Sequence, residues 1–403
     1  MQAVLMVAGK STRTYPLTLT RPKPLLPIMN RALIRHSLDQ LVDLFDEIIF
    51  ITGYKKEQIE PELGDDYKGM HLIYQEQKEQ RGTGHAVLQA KEHITGKFVA
   101  MNGDDLFARQ DIESLLEYDY GALAKRVKDP SLYGVFQADE NTRVKKLVEK
   151  PKEFIGDLAN IGCYVLQPDF FAELENTQPS IRGEIEITSA IDSVAQQHDV
   201  FVHPISGFWL PTGFAWDLLK HQEFLMQDMS ESNIQGEVEE GAVLKGSVHL
   251  GADSLIKSGV YIEGPVVIGD NCVIGPNSYF RKYTAIGNNC KIGQAVEIKN
   301  SVIMPNCNIQ HLSYIGDSVV GEGATIGAGT ITANRRHDAE NIKSSIKENL
   351  VDSERNKFGA IISDGVQTGI HTSIYPGRKI WPNMTTLPGE IVKQDKMPEG
   401  FDW

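Results

Sequence analysis

The sequence predicts an α/β domain with a Rossmann-like sheet over residues 1–228, followed by a parallel β-helix of hexapeptide repeats over residues 229–403. Up to about Gln227, short apolar runs alternate with stretches of helical spacing, which is typical of an α/β sheet. After the polar stretch Met226–Ala242 the hydrophobic period changes to six, which indicates a different architecture.

The first domain begins with "QAVLMVA", which predicts a short buried parallel strand leading into Gly9. Further strands are predicted for "EIIFITGY", "HLIYQEQ" and "KFVAMNGDD", at Glu47–Tyr54, His71–Gln77 and Lys97–Asp105. The segment "NRALIRHSLDQLVDLF", between the strand "QAVLMVA" and the strand "EIIFITGY", has helical spacing. In such sheets the ligand sites lie at the carboxyl ends of the strands.

The stretch "VAGKST" resembles the end of a P-loop, but its spacing excludes that motif. A P-loop needs a glycine five residues before the Gly9–Lys10 pair, and Val4 occupies that position. A sharp turn after a strand still presents backbone N–H groups to an anion, so we expect phosphate to bind here by another geometry.

The period of six in the second half is a strong signal. Ten consecutive apolar hits from one starting point would arise by chance on the order of once in 10⁴ in a chain of this composition. The positions are Leu244, Leu250, Ile256, Ile262, Ile268, Ile274, Phe280, Ile286, Ile292 and Ile298. The repeat slips afterwards and resumes at Ile303.

The repeat also gives an interpretation of the cysteines and of one charged stretch. Cys272, Cys290 and Cys307 each lie four residues after a core position, in a slot that takes small or β-branched side chains, so we expect reduced thiols with a structural role in preference to a metal site or a disulfide. Cys272 and Cys290 are three hexads apart, and we expect them to stack in successive coils. The charged stretch at residues 335–357 interrupts the period, and we expect it to leave the coil as a loop.

Composition limits the partners. A formal net charge of -14 argues against binding to nucleic acid, which requires a basic face. No stretch approaches the roughly 18 apolar residues that span a membrane, and no signal segment is apparent, so we expect a cytoplasmic protein without a membrane partner.

The motif "GKSTRTYPLTLTRPK" resembles the signature of sugar-1-phosphate nucleotidylyltransferases. Together with the hexapeptide repeat, it makes the whole chain similar to the bifunctional N-acetylglucosamine-1-phosphate uridylyltransferase/glucosamine-1-phosphate N-acetyltransferase family, and particularly to its archaeal branch. The resemblance implies a Rossmann-like nucleotidyltransferase domain and a left-handed parallel β-helix.

In the first domain the resemblance implies attack by a sugar phosphate on a nucleoside triphosphate, with Mg²⁺ and cations offsetting the charge. Arg13 and Lys23 would be the catalytic cations, and Asp104 of "MNGDD" would bind the metal. The residues implied for the nucleotide are Gly9, Gln77, Gly82 and Thr83. Those implied for the sugar phosphate are Gly134, Glu149, Lys150 and Asn160.

Three positions depart from the family pattern. Ser11 replaces the second glycine of the turn, Ser189 replaces an aspartate, and Pro211 replaces the usual second metal ligand. Because proline has no side-chain oxygen, either Mg²⁺ is held by Asp104, phosphates and water, or nucleotidyl transfer is weak or lost.

In the second domain "QHLSYIGDSVVGEGATIGAGTITAN" resembles an acetyltransferase core, in which His311 would be the base that takes the amine proton. Arg281 and Lys299 occupy a slot that is often glycine elsewhere in the repeat, which by itself suggests a site. The resemblance assigns these two cations to the sugar phosphate. It also implies Tyr314 and Asn334 in the sugar pocket and Ala328 and Ala360 near coenzyme A.

The implied substrates are a nucleoside triphosphate, UTP being favoured, a hexose-1-phosphate and acetyl-CoA, in a homotrimer or a multiple of one. Two alternatives stay open. One is a nucleotidylyltransferase of single activity, of the glucose-1-phosphate thymidylyl- or mannose-1-phosphate guanylyltransferase kind, with a structural or regulatory β-helix. The other is an acetyltransferase whose first domain only senses a sugar nucleotide.

Overall fold

The computed structural model describes residues 1–180 and 182–401, which form two compact units. The first comprises Met1–Lys10, Pro22–Leu25 and Leu33–Pro211. The second comprises Ser11–Arg21, Leu26–Ala32 and the chain from Thr212 onward. Two short segments near the N-terminus therefore belong to the same unit as the hexapeptide repeat.

The first unit is built on a ten-stranded mixed sheet with a parallel centre. Gln2–Met6 lies between Glu47–Thr52 and Phe98–Asn102, and Glu47–Thr52 pairs in turn with Met70–Glu76. All residues of Gln2–Met6 are buried, because both faces of a central parallel strand are covered. The other strands of this sheet are Asp66–Tyr67, Gly121–Arg126, Gly134–Ala138, Val144–Glu149, Leu158–Leu166 and Phe201–Pro204.

Helices and a small two-stranded sheet complete this unit. The α-helices are Leu33–Leu41, Ile59–Leu63, Thr83–Leu88, Arg109–Leu115, Phe170–Asn176 and Ile187–Val194. In the last of these, Ile187, Ala190, Ile191 and Val194 repeat at three- and four-residue intervals and pack in the hydrophobic core. The small sheet pairs Asp105–Phe107 with Trp209–Pro211.

The second unit contains three parallel sheets whose strands follow one another around a coil, and it is the predicted left-handed parallel β-helix. The first sheet has the strands Asn233–Ile234, Val248–Leu250, Val266–Ile268, Thr284–Ile286, Val302–Ile303, Val319–Val320, Ala360–Ile362 and Arg378–Ile380. The second has Glu237–Val238, Leu255–Ile256, Val273–Ile274, Lys291–Ile292, Asn308–Ile309 and Thr325–Ile326. The third has Val243–Lys245, Tyr261–Glu263, Tyr279–Arg281, Glu297–Lys299, Tyr314–Gly316, Ile331–Thr332, Ser373–Ile374 and Ile391–Val392.

The strand register explains the slip in the sequence period. Ile268 pairs with Ile286, three hexads later, whereas Ile286 pairs with Ile303 after a coil that is one residue shorter. An inward-facing isoleucine lies at this position in each of the three coils, because parallel pairing stacks equivalent residues of successive strands on one another. The missing residue is therefore absorbed at a corner and not in the hydrophobic core.

The insertion at residues 335–357 leaves the coil, as expected, but it does not remain irregular. Lys343–Ile346 and Asn349–Asp352 form an antiparallel hairpin. Ile342 and Phe358 at its base are buried, which anchors the hairpin to the second unit.

Cys272 and Cys290 stack as predicted, and Cys307 continues the same column. Backbone hydrogen bonds place Cys272, Cys290 and Cys307 in successive coils, and all three are buried free thiols. Their side chains belong to the continuous core of the β-helix. None of the helices in the described part of the chain has the length and apolar character needed to span a membrane.

The segment Ser11–Arg21 packs inside the second unit through polar contacts. The Arg21 guanidinium donates to Asp364 Oδ2 at 2.6 Å. The ammonium of Lys379, which is fully buried, donates to the carbonyl oxygen of Tyr15 at 3.0 Å. The helix Asp217–Met226 belongs to the same unit.

Candidate active sites

Three predicted residues of the first unit lie at one edge of its sheet. Gly9, Gln77 and Asp104 follow the strands Gln2–Met6, Met70–Glu76 and Phe98–Asn102. These strands belong to one parallel array, so their carboxyl ends meet at the same edge, where α/β sheets bind ligands. The structure therefore brings the predicted nucleotide and metal residues to one edge.

Lys23 and Asp104 form an ion pair at this edge. Lys23 is buried although it is a lysine, and 27% of the Asp104 side chain is exposed. A charged partner stabilises a buried ammonium, and a partly exposed carboxylate stays within reach of a ligand. The neighbouring Asp105 is buried and accepts hydrogen bonds from Trp209 Nε1 and Asn102 Nδ2, both at 3.3 Å, so its role is structural.

Gly82, one of the residues implied for the nucleotide, forms the turn that leads into the helix Thr83–Leu88. Gly82 has φ of +103°, and a Cβ there would lie 2.6 Å from the carbonyl oxygen of Ile185, so only glycine fits. Gln77 is buried, and its amide nitrogen donates to the Gly82 carbonyl at 3.1 Å. Thr83 is exposed at the start of the helix. These contacts fix the turn and leave the Thr83 side chain accessible.

The residues predicted for the sugar phosphate come together on adjacent strands. Gly134 lies opposite Glu149 in an antiparallel pair, and a Cβ on Gly134 would lie 3.0 Å from Glu149 Oε2 and 3.5 Å from Asn160 Cβ. Lys150 Nζ lies 4.0 Å from Glu149 Oε1. Burial raises the pKa of the Glu149 carboxyl, and the nearby Glu186 carboxylate adds to this effect.

Arg13 is exposed and belongs to the second unit, where its guanidinium lies 5.7 Å from the ring centroid of Phe214. Ser11 has φ of 52° and ψ of 51°. This left-handed conformation explains why the family pattern has glycine at this position. Ser189 is exposed in the first turn of the helix Ile187–Val194.

Pro211 lies directly opposite Asp105 in the small sheet. Asp105 is the residue that follows Asp104. Among the described residues no group of three or more His, Cys, Asp or Glu side chains is arranged to hold a metal ion. Asp104 is a partly exposed carboxylate at this edge. A single carboxylate fits Mg²⁺ that arrives with phosphate oxygens and keeps several waters.

In the β-helix, register aligns the two charged residues that break the repeat. Arg281 pairs with Lys299, and Lys299 pairs with Gly316, at the ends of three successive strands. Arg281 and Lys299 line a cavity of about 760 Å³. Its other lining residues are Glu223, Glu263, Lys282, Tyr283, Asn300, Asp317, Asn341, Glu354, Arg355, Asn356 and Lys357.

Tyr314 and Asn334 are also brought together. Asn334 Nδ2 donates to Tyr314 Oη at 2.9 Å. A Cβ on Gly316 would lie 2.3 Å from Tyr314 Oη, so glycine lets the phenol reach this position. Burial raises the pKa of the Tyr314 phenol, and the Asp317 carboxylate raises it further.

His311 is exposed at the corner before the strand Tyr314–Gly316 and is not among the residues that line the cavity. Ala328 is partly exposed, and its carbonyl oxygen accepts a hydrogen bond from the backbone of His371. Ala360 is fully buried in the core of the β-helix, so its side chain is not available to coenzyme A within one chain.

Two site residues have no distinctive signal in the sequence. Asp317 is 1% exposed and accepts hydrogen bonds from Lys299 and Asn334. Glu223, on the helix Asp217–Met226, lines the cavity and accepts from Asn300 Nδ2 at 2.7 Å. In the sequence Asp317 is only an acid that directly follows a strand ending in glycine. Nothing in its local sequence indicates that its carboxylate is buried, so its role could not be predicted.

Comparison with known proteins assigns the two parts of the chain. The Nucleotidyl transferase family model matches residues 2–228, and a GMPPB C-terminal domain model matches residues 262–385. A solved structure entitled "The Crystal Structure of UDP-glucose pyrophosphorylase complexed with UDP-glucose" is 26% identical with a TM-score of 0.51, covering 54% of this chain and 95% of that one.

Curated relatives span nearly the whole chain. "Bifunctional protein GlmU" of Methanocaldococcus jannaschii is 40% identical over 385 residues, covering 95% of this chain and 92% of the relative. "Bifunctional sugar-1-phosphate nucleotidylyltransferase/acetyltransferase" of Sulfurisphaera tokodaii is 37% identical over 399 residues, covering 98% of each. The similarity therefore includes both the sheet and the β-helix.

Proposed function

We propose that this chain makes UDP-N-acetylglucosamine by two reactions. The chain belongs to the nucleotidyl transferase family and to its bifunctional sugar-1-phosphate nucleotidylyltransferase/acetyltransferase branch. The β-helix transfers an acetyl group from acetyl-CoA to glucosamine-1-phosphate. The first domain then transfers a uridylyl group from UTP to N-acetylglucosamine-1-phosphate and releases pyrophosphate. The observation that carries the proposal is a separate cluster of reactive side chains in each part of a chain whose relatives are bifunctional over their full length.

Uridylyl transfer joins two polyanions, so its main requirement is charge stabilisation and positioning. We propose that Arg13 and Lys23 hold the triphosphate while Gly9 leaves room for its approach. The turn at Gly82 and Thr83 would contact the nucleotide, and Gln77 fixes this turn. The convergence of Gly134, Glu149 and Asn160, with Lys150 beside them, supports their assignment to the sugar phosphate.

Asp104 would hold Mg²⁺ together with phosphate oxygens and water, since Pro211 supplies no second ligand. When bound, Mg²⁺ would neutralise phosphate charge. Lys23 pairs with Asp104, so the same lysine is placed to meet a phosphate that binds beside the carboxylate. The ion pair thus couples the residue proposed for the metal with the one proposed for the triphosphate.

Acetyl transfer requires a base for the amine proton and cations for the sugar phosphate. We propose His311 as the base, because it is exposed at the corner that precedes the strand Tyr314–Gly316. Arg281 and Lys299 would bind the phosphate in the cavity that they line. Tyr314 and Asn334, which are hydrogen-bonded to each other but are not among the residues that line this cavity, would contact the sugar. Coenzyme A would lie along the corner at Ala328; the side chain of Ala360 is not part of this proposal because it is buried.

The proposed assembly is a homotrimer or a multiple of one. The β-helix exposes large apolar side chains that an isolated molecule would leave in water, and association would bury them. They include Val243, Leu312, Ile331, Ile370, Leu387 and Ile391. His311 lies beside Leu312, so association through this surface would bring the proposed base close to a second subunit.

Substrate panels test the two reactions separately. Pyrophosphate release is measured with Mg²⁺, UTP or dTTP, and a series of hexose-1-phosphates, and thiol release from acetyl-CoA is measured with glucosamine-1-phosphate. We expect UTP with N-acetylglucosamine-1-phosphate to be the preferred pair, and thiol release to depend on the amino sugar. Pyrophosphate release without acetyl transfer would favour a nucleotidylyltransferase of single activity, and the converse would favour a sensory first domain.

A further inference from the structure

A single buried carboxylate connects the residues proposed for the acetyl acceptor. Asp317 is 1% exposed at the end of the strand Tyr314–Gly316. Its two oxygens accept from Lys299 Nζ at 2.9 and 2.8 Å. Oδ2 also accepts from Asn334 Nδ2 at 2.5 Å, and Oδ1 accepts from Asn300 Nδ2 at 2.8 Å.

Physical chemistry requires such partners for a buried carboxylate. An ionised carboxylate away from water is stable only when it is paired and its lone pairs are satisfied. Here one ammonium and two amide groups provide these bonds. Lys299 and Asn300 belong to the coil before that of Asp317, and Asn334 belongs to the coil after it. The positions of the Lys299 ammonium and the Asn334 amide are therefore fixed by the same acid.

The effect extends to the phenol beside them. Asn334 Nδ2 bonds both to Asp317 Oδ2 and to Tyr314 Oη, so Asp317 holds the amide that orients the phenol. Lys299 and Asp317 both line the cavity that contains Arg281. One carboxylate thus sets the geometry of three side chains that are proposed to touch the acceptor.

The same carboxylate connects the insertion to the cavity. Asn300 Nδ2 bonds to Asp317 and also to Glu223 Oε1 at 2.7 Å. The Arg355 guanidinium, which follows the hairpin of the insertion, donates to the same Glu223 oxygen at 2.5 Å. A continuous chain of hydrogen bonds therefore runs from Asp317 to the wall of the cavity formed by the insertion.

We propose that Asp317 is a positioning residue for acetyl transfer, which holds the Lys299 ammonium and the Asn334 amide where the amino sugar phosphate binds. The inference rests on the proposed acetyltransferase function of this cavity. Asp317 acts through these two side chains and does not itself take part in the chemistry.

Asp317→Asn is the appropriate variant, because asparagine has the same size and tolerates the φ of +48° at this position. The substitution replaces the carboxylate that holds the Lys299 ammonium with an uncharged amide. We expect the KM for glucosamine-1-phosphate to rise about 10-fold and kcat/KM to fall about 10²-fold, since misplacement of binding groups costs on this scale. The KM for acetyl-CoA and the rate of pyrophosphate release should stay at wild-type values.

The matched control is Asp270→Asn, at another corner of the β-helix, where Oδ1 accepts from the backbone of Ala252 at 2.8 Å. It should behave as the wild type. If Asp317 were only structural, D317N would reduce the fraction of active molecules and lower kcat with both KM values unchanged. That result, or wild-type kinetics in D317N, would overturn the proposal.

Calorimetric titration with glucosamine-1-phosphate separates this inference from the function on which it rests. Wild-type binding without acetyl transfer would contradict the proposed function, and weaker binding by D317N in the same assay would still support a positioning role. Equal affinity of wild type, D317N and D270N would overturn the role of Asp317, whichever reaction the cavity supports.

Discussion

The pairing of Lys23 with Asp104 gives the first unit its central charged group at the carboxyl edge of the sheet. The sequence pointed to both residues through the family signature, but not to their contact. Lys23 and Asp104 are about 80 residues apart along the chain, so their contact depends on how the fold aligns the segments that contain them. Residue types were thus predictable from local sequence, whereas pairings across the fold were not.

Asp104→Asn should reduce pyrophosphate release by at least about 10²-fold, because the metal loses its proposed carboxylate and Lys23 loses its charged partner. Rates are measured over a range of Mg²⁺ concentrations. Acetyl transfer by the same preparation is the internal control and should not change. Undiminished release at low Mg²⁺ would exclude Asp104 as the metal ligand.

His311→Ala should slow acetyl transfer about 10²- to 10⁴-fold, which is the usual contribution of a general base, and should leave pyrophosphate release intact. His249→Ala is the matched control, since it removes another histidine of the β-helix from the strand Val248–Leu250. If H311A and H249A acetylated glucosamine-1-phosphate at the same rate, the base would have to be a different group.

At the scale of elements, the hexad period predicted the coil and its core, because parallel stacking repeats one environment at a fixed interval. Asp317 shows where the period stops being informative: its burial comes from partners in neighbouring coils and not from its own neighbours in sequence. The hairpin of the insertion was expected only as a loop, since its strands pair locally without the period of six.

The packing of Ser11–Arg21 was not predictable either, because its partners, among them Phe214, Asp364 and Lys379, lie far away along the chain. Lys379 donates to the carbonyl oxygens of Tyr15 and Ser345, at 3.0 and 2.6 Å. Burial lowers the pKa of this ammonium to about 8 from its ordinary value of 10.5. The lysine therefore links the segment to the last coils of the second unit.

This lysine should make stability depend on pH in an unusual direction. Between pH 8 and 10.5 the folded protein has released the Lys379 proton while the unfolded chain still holds it, so the unfolded state binds more protons and stability rises with pH. The free energy of unfolding of the wild type, relative to Lys379→Met, should increase across this range in denaturant titrations.

The control for this titration is Lys257→Met, at a partly exposed lysine of the same β-helix, which should follow the wild type at each pH. A constant difference between the wild type and K379M from pH 7 to pH 10.5 would show that the buried ammonium does not titrate in this range.

At the scale of the whole molecule, the exposed apolar side chains of the β-helix concern assembly. Leu387 and Ile391 are 73% and 54% exposed near the last coil. Their joint replacement by glutamate should dissociate a trimer, because charges at an apolar contact lose solvation when it forms. Sedimentation velocity should then report monomers.

Leu132→Glu supplies the matched control, since Leu132 is 69% exposed but lies in the first unit. It should sediment as the wild type. If acetyl transfer needs neighbouring subunits, L387E/I391E should lose that activity and keep pyrophosphate release. A double variant that sediments as the wild type would place the contact elsewhere.

We propose that one chain performs both reactions in sequence. The most direct measurement supplies the purified protein with glucosamine-1-phosphate, acetyl-CoA, UTP and Mg²⁺ and follows the products by ³¹P NMR. We predict that N-acetylglucosamine-1-phosphate appears first and is converted to UDP-N-acetylglucosamine with an equal amount of pyrophosphate. A mixture in which glucosamine-1-phosphate remains unacetylated, or in which the acetylated sugar phosphate accumulates without pyrophosphate, would show that the chain does not perform both reactions.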